Sequence, residues 1–442
     1  MTVQARAAPQ RRGACPGLSA PMPTGDGLLV RLQPIGTIPL AALAALCAAA
    51  RRHGNGIIEI TSRGSIQVRG LSAASAPQFA VDLAALDIAA ADGVPICCNP
   101  LAGLDAAELL DCTALAAELR RALARRSLAA KLGAKVSVAI DGGGTLNLAI
   151  LSTDIRLCAQ ATGGTVAFDV AVGGDAASAV SLGIVAPSDA IEAVTRLLEV
   201  LARRGLGARA RDIIATEGAA GFGPAIADLL LSAHLRECGD PAPAFRWRGN
   251  GPKIASPIGL HRLRDGSFAC GIGLAFGHAE AASLERLVDA AATAGADGLR
   301  AAPDRTLLTI GLTPMTAAVF VAAAAQLGFI VHADDPRRHV VACAGAPICA
   351  SAHIAARAIA PAVAASAAPY LDGEVAIHLS GCAKGCAHAA PTALTVIGTP
   401  IGCALVANGS ARDAPFTIVP PDELPAAIAR FARTRHREHG HV

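Results

Sequence analysis

The 442-residue sequence predicts an α/β fold, α+β in its finer arrangement, made of two pseudo-twofold-related halves with a cavity between them. Two observations carry this. Residues 36–71 and 277–312 align without a gap at an offset of 241, pairing Gly36 with Gly277, Leu46 with Leu287, Gly54 with Gly295, Ile66 with Leu307 and Gly70 with Gly311. Alanine matches within helices arise easily, whereas glycines aligned at element ends mark shared turns. Each copy also alternates strand, helix and two short strands, and a longer α/β segment follows it.

In chain order, "GLLVRL" reads as a strand and "LAALAALCAAARRHG" as a helix closed by Gly54. "IIEI" and "SIQVRGL" follow as two short strands, the second with the alternation of a half-buried one. The first α/β segment contains "KVSVAIDGGGTLNLAIL", whose glycine run reads as a hairpin turn, and closes with the helix "APSDAIEAVTRLLEVLARRG". A Pro/Gly-rich stretch, 237–259, reads as the linker. "FACGIGL" opens the second copy, and "MTAAVFVAAAAQLGFIV" reads as a buried helix followed by a strand. "TALTVIGTPIGCALVANG" and a closing helix complete the second segment.

Composition narrows the classes. Mean hydropathy is +0.46, yet the most apolar run is short and interrupted by Gln326 and Gly328, so no membrane span is expected. The N-terminal residues are basic but carry no apolar stretch, which predicts no secretory signal and a cytoplasmic location. A net charge of +3 argues against nucleic acid as the partner. The basic residues are nearly all arginine, whose planar forks suit carboxylate ligands.

In a reducing cytoplasm thirteen cysteines do not imply disulfides. Most are scattered and read as small apolar residues, and Cys97-Cys98 reads as core. Four differ: Cys343-x5-Cys349 and Cys382-x3-Cys386 form two pairs in loops carrying Gly345, Gly381 and Gly385. Zinc pairs sit closer together in tight turns, so the spacing favours a [4Fe–4S] cluster, which needs roomy loops with N–H groups turned toward its sulfurs.

That double motif, with "SGCAKGCAH" as its second part, resembles the cluster motif of the sirohaem-dependent nitrite and sulfite reductase family. "GLLVRL" is similar to the strand bearing an active-site arginine, here Arg31, and "EITSRGSIQVRG" to the family's R-Q-x-x-Q strand, here Arg63 and Gln67. The resemblance implies a nitrite/sulfite reductase-like fold with ferredoxin-like half-domains and a ring-binding cavity. The expected division is a tail at 1–20, a half-repeat at 21–80, an α/β domain at 81–236, the linker at 237–259, a second half-repeat at 260–320 and the cluster-bearing α/β domain at 321–442.

Departures from the pattern choose among the family's members. The sulfite-gripping L-x-x-K-x-K becomes "LAAKLGAK", which keeps Lys131 but has Gly133 at the second position, and "DGVPICCNPLAG" lacks an arginine. Together with "IDGGG" and the early "CPG", this resembles the branch of the family that oxidises a precorrin in aerobic cobalamin (vitamin B12) biosynthesis. That resemblance implies hydroxylation of precorrin-3A at C20 with O2, closure of the ring A acetate lactone, and an electron-donor protein or NADH-linked reductase as partner. It also implies a mononuclear non-haem iron beside the [4Fe–4S] cluster. Sirohaem belongs only to the alternative, a sulfite or nitrite reductase; a second alternative is a non-catalytic tetrapyrrole carrier.

The expected metal ligands are therefore Cys343, Cys349, Cys382 and Cys386, and the expected ring-binding residues are Arg31, Arg63, Gln67, Arg69, Lys131 and Lys384. Bland readings stand beside these. Arg31 suits a buried ion pair, Arg69 a solvent-facing position, Lys384 a solvated loop and His388 a structural role. Arg63, Gln67 and Arg69 are expected on one strand face.

Overall fold

The computed structural model describes residues 17–18, 20–162, 164–231, 255–371, 376–388 and 390–439. Most of the expected linker, the Cys15-Pro16 pair and the histidine side chains of the C-terminal tail lie outside this description. Among the described residues four sheets form, and they come in two matching pairs.

In the first ferredoxin-like half, strands Met22–Thr24, Gly27–Leu32, Ile66–Leu71 and Ile57–Ile60 lie side by side, all antiparallel. In the second, Gly259–Arg262, Phe268–Gly273, Thr306–Leu312 and Gly298–Ala302 repeat that order. Gly27–Leu32 and Phe268–Gly273 coincide under the 241-residue shift. Helices Leu40–His53 and Ala281–Thr293 occupy the matching place and pack on each other, burying Leu43, Leu46, Leu284 and Leu287 in one core shared by the two halves. Strand His278–Glu280 crosses over to pair with Ile57–Ile60, so the halves also share backbone hydrogen bonds.

The two α/β sheets match as closely. Ile96–Cys98, Val138–Asp141, Thr153–Thr162, Thr165–Gly174 and Val180–Val185 run parallel, parallel, antiparallel, antiparallel. Val340–Ala342, Ile377–Ser380, Thr392–Thr399, Gly402–Gly409 and Thr417–Val419 do the same. Their closing helices are Ala190–Arg204 and Leu424–His439.

Three expectations are corrected here. The glycines after Asp141 do not make a hairpin, because Val138–Asp141 and Thr153–Thr162 are parallel and a parallel pair needs a longer crossover. The alanine-rich helix Pro314–Gln326 is not buried all round: Phe320 and Ala324 face the core while Met315 and Val319 are exposed. It lies on the outside of its sheet with one face in contact, so its uniform apolarity misled the reading. The strand expected after it is only a single bridge between Ile330 and Gly273.

Candidate active site

Parallel strands leave their C-terminal ends free to carry loops, and the cysteines sit there. Cys343 directly follows Val340–Ala342, and Cys382 and Cys386 follow Ile377–Ser380, the neighbouring strand. Cys349 lies in the loop returning to helix Ala356–Ala367. All four thiols line one cavity of about 550 Å³. The Gly381 N–H donates to Cys343 Sγ at 3.0 Å. Burial pushes the Cys343 thiol up, opposed by the N–H groups of Gly381 and Gly345. Lys384 Nζ donates to Ser351 Oγ at 2.8 Å and so ties the two cysteine loops together.

Two glycines are required here. Gly345 has φ +70, and a Cβ on it would lie 2.4 Å from the Ala356 nitrogen. A Cβ on Gly25 would lie 2.2 Å from Cys349 Sγ, so any larger residue there would push this sulfur from its place. Among the described residues no three His, Cys, Asp or Glu side chains are gathered closely enough to hold a single metal ion. Four thiols around one cavity, an N–H aimed at a sulfur and backbone kept clear of Cβ atoms fit an iron–sulfur cluster held by these cysteines.

Facing the cysteines is the polar side of the first-half sheet. Register sets Arg31 opposite Gln67 and Gln67 opposite Glu59 on three adjacent strands. With its amide oriented to satisfy both neighbours, Gln67 donates to Glu59 Oε2 at 2.9 Å and accepts from Arg31 Nε at 2.8 Å. Arg69 donates to Asp26 through Nε (2.8 Å) and Nη2 (2.7 Å) and to Glu59 Oε2 at 3.3 Å. Burial would raise the Asp26 pKa, but the Arg69 hydrogen bonds and charge hold it below the usual carboxylate range. Arg357, which the sequence reading missed, reaches across from the second half to Glu59.

A larger cavity of about 880 Å³ adjoins this one, and both are lined by Arg31, Thr61, Ser62 and Ala387. Its wall carries Arg63, Arg120, Lys135, Arg209 and Arg300, with His388 on the side toward the cysteines. Arg209 is engaged by Asp154 at 2.9 Å. Arg63, Arg120 and Arg300 have no carboxylate partner among the described residues. Arg63 donates to the Ser152 carbonyl, Arg120 to that of Ile96, and Arg300 to Thr37 and to the carbonyls of Pro100 and Ala102. Cationic donors held by carbonyls keep their charge available for an anionic ligand.

The six expected ring-binding residues therefore divide. Arg31 and Arg63 line the large cavity, while Gln67, Arg69 and Lys384 line the cysteine cavity with Arg31. Arg63 does not share a strand with Arg69. It lies in the turn before Ile66–Leu71, where Thr61 Oγ1 accepts from the N–H groups of Arg63 and Ser65, so counting by twos fails across it. Lys131 is exposed at the end of the 3-10 turn Leu128–Lys131 and lines neither cavity; Lys135 is the lysine on the wall. Cys97 and Cys98 are half-buried, each packed against a core cluster, and they also line this wall. Although "DGVPICCNPLAG" has no arginine of its own, helix Thr113–Arg125 lays Arg120 across strand Ile96–Cys98.

Comparison with known proteins fits this geometry. Residues 20–86 match the model described as nitrite/sulfite reductase ferredoxin-like half domain, and residues 92–223 match the nitrite and sulphite reductase 4Fe-4S domain. A precorrin-3B synthase of Sinorhizobium sp. is 41% identical over 428 residues, 96% of this chain and 89% of the relative. The chain belongs to the precorrin-3B synthase branch of the nitrite/sulfite reductase family. It is accordingly an oxidoreductase of an iron–sulfur family. The reductase branch is more distant: a ferredoxin–nitrite reductase of Synechococcus elongatus is 33% identical over 162 residues, covering 34% of this chain and 32% of that one. The Mycobacterium tuberculosis NirA structure superposes with a TM-score of 0.73 at 21% identity, over 93% of this chain and 81% of that one, and shares the fold. In this chain the 4Fe-4S model falls on the half without the paired cysteines, which lie in the repeat of the matched segment. No helix among the described residues is long and apolar enough to cross a membrane.

Proposed function

We propose that the protein is an O2-dependent monooxygenase acting in the cytoplasm on precorrin-3A, hydroxylating C20 and closing the ring A acetate lactone. The observation that carries this reading is the near-complete match to precorrin-3B synthase, together with a cation-lined cavity beside four thiols. One oxygen atom enters the ring and the other leaves as water, drawing two electrons and two protons from a donor protein or NADH-linked reductase. A [4Fe–4S] cluster on Cys343, Cys349, Cys382 and Cys386 supplies one-electron transfers when bound. Arg63, Arg120, Arg300 and Lys135 hold the ring carboxylates, and Arg31 sits where the ring cavity meets the cluster side. The mononuclear iron of this reading has no ligand set among the described residues.

Mass spectrometry of the product made from precorrin-3A under 18O2 tests the proposal. One labelled oxygen per ring is expected, from protein that purifies with a cluster and no haem spectrum. Unlabelled product together with stoichiometric sirohaem would return the protein to the reductases, and a bound ring of unchanged mass would make it a carrier.

A further inference from the structure

Among the described residues lining the cysteine cavity, Glu59 is the one carboxylate; Arg31, Arg69, Arg305 and Lys384 are its cations. Two guanidinium groups converge on it. Arg69 donates to Oε2 and is held from behind by Asp26, while Arg357 Nη2 donates to Oε1. The Arg357 side chain is 10% exposed, and its Nε and Nη1 are buried with no hydrogen-bond partner among the described residues. Glu59 is thus the carboxylate that pairs directly with Arg357 among the described residues.

We propose that Glu59 sets the reduction potential of the cluster held by the four cysteines, acting through Arg357 and Arg69. The inference rests on the cluster reading above and adds to it a charge-setting residue. Glu59 and Arg69 line the same cavity as the four thiols, and Arg357 reaches Glu59 from helix Ala356–Ala367, which follows the Cys349 loop. Reducing the cluster adds one negative charge, which nearby positive charge favours and negative charge opposes, strongly in a buried site. The carboxylate of Glu59 offsets its two arginines and holds the potential down. Removing it leaves Arg357 unbalanced and makes reduction easier; removing Arg357 does the reverse.

The test is a redox titration of the anaerobically purified holoprotein, followed by the electron paramagnetic resonance of the reduced cluster. Iron and sulfide are measured first, and wild-type protein without about four of each overturns the cluster reading and this inference with it. Given a cluster, Glu59→Gln is expected to raise the reduced-to-oxidised ratio at the wild-type midpoint about tenfold, or about 59 mV for a one-electron couple. Arg357→Gln is expected to lower it comparably. Opposite shifts support the proposal, since general loosening would not move the two variants apart. Shifts in the same direction, or none, overturn this inference while the cluster reading stands. If Glu59→Gln fails to assemble a cluster, Arg357→Gln against the charge-conserving Arg357→Lys decides, with only the former expected to move.

Discussion

The two α/β domains place the same two loops at the same sheet edge and fill them differently. After the strand Val340–Ala342 comes Cys343, whose sulfur accepts from the N–H of Gly381. After the equivalent strand Ile96–Cys98 comes Asn99, whose Oδ1 accepts from the N–H of Gly142, the residue in the place of Gly381, at 2.6 Å. One donor at one topological position thus meets a thiol in one half and an amide in the other. The first half then closes on itself. Asn99 donates to Asp141 Oδ1 at 2.8 Å, and Asp141 also accepts from the N–H groups of Gly143 and Leu148, all buried or nearly so. The second half leaves its loops open around four thiols.

The opposing sheets differ in step. In the first ferredoxin-like half, Arg31, Gln67 and Arg69 face the cysteines. The positions 241 residues later are Ile272, Leu308 and Ile310, and Leu308 and Ile310 pack on Leu101 and Leu146 of the closed loops. The two copies of the repeat thus differ: one junction is closed by packing and the other is left open, lined with thiols and charges. The closed junction buries apolar surface and satisfied polar groups; the open one keeps charged groups, paired with one another, at a cavity wall.

The largest test of this comparison is the removal of a thiol. Cys349→Ser is expected to take iron and sulfide from about four per chain to near zero, and Gly25→Ala to lose most of the iron by driving a methyl into the Cys349 sulfur. Metal analysis after anaerobic purification checks both. Unchanged iron in either would break the assignment of the open junction. In the closed junction, Asp141→Ala strands one N–H of the Asn99 amide and two backbone N–H groups, and unfolding by denaturant should show a loss of about 3 kcal/mol or more. Iron per folded chain should stay at wild type, because the four paired cysteines lie in the other junction.

Smaller effects sharpen the ligand side. Arg63→Ala is expected to weaken tetrapyrrole binding by about 1.5–3 kcal/mol, the cost of a charge-assisted hydrogen bond, read by titration calorimetry. Unchanged affinity would make Arg63 a tie to the Ser152 carbonyl only. Smallest is the lysine pair. Lys135→Ala should lose up to about 1 kcal/mol of that affinity, as an exposed charge does, while Lys131→Ala changes nothing measurable.

Much was legible in the sequence because local pattern and composition act over short distances. The 241-residue repeat, the strand–helix–strand order and the two cysteine pairs follow from glycine turns, side-chain period and thiol spacing. The family resemblance rested on motifs that stay contiguous along the chain. What tertiary structure alone decided is which residues meet across elements. Arg357 reaches Glu59 from 298 residues away, Arg120 covers the strand of Cys97 and Cys98, and Lys135 takes the wall position expected of Lys131. Strand register and helix placement fix those encounters. The exchange of Cys343 for Asn99 at one shared N–H becomes visible only when the two sheets are superposed, since no local signal links residues so far apart in the chain.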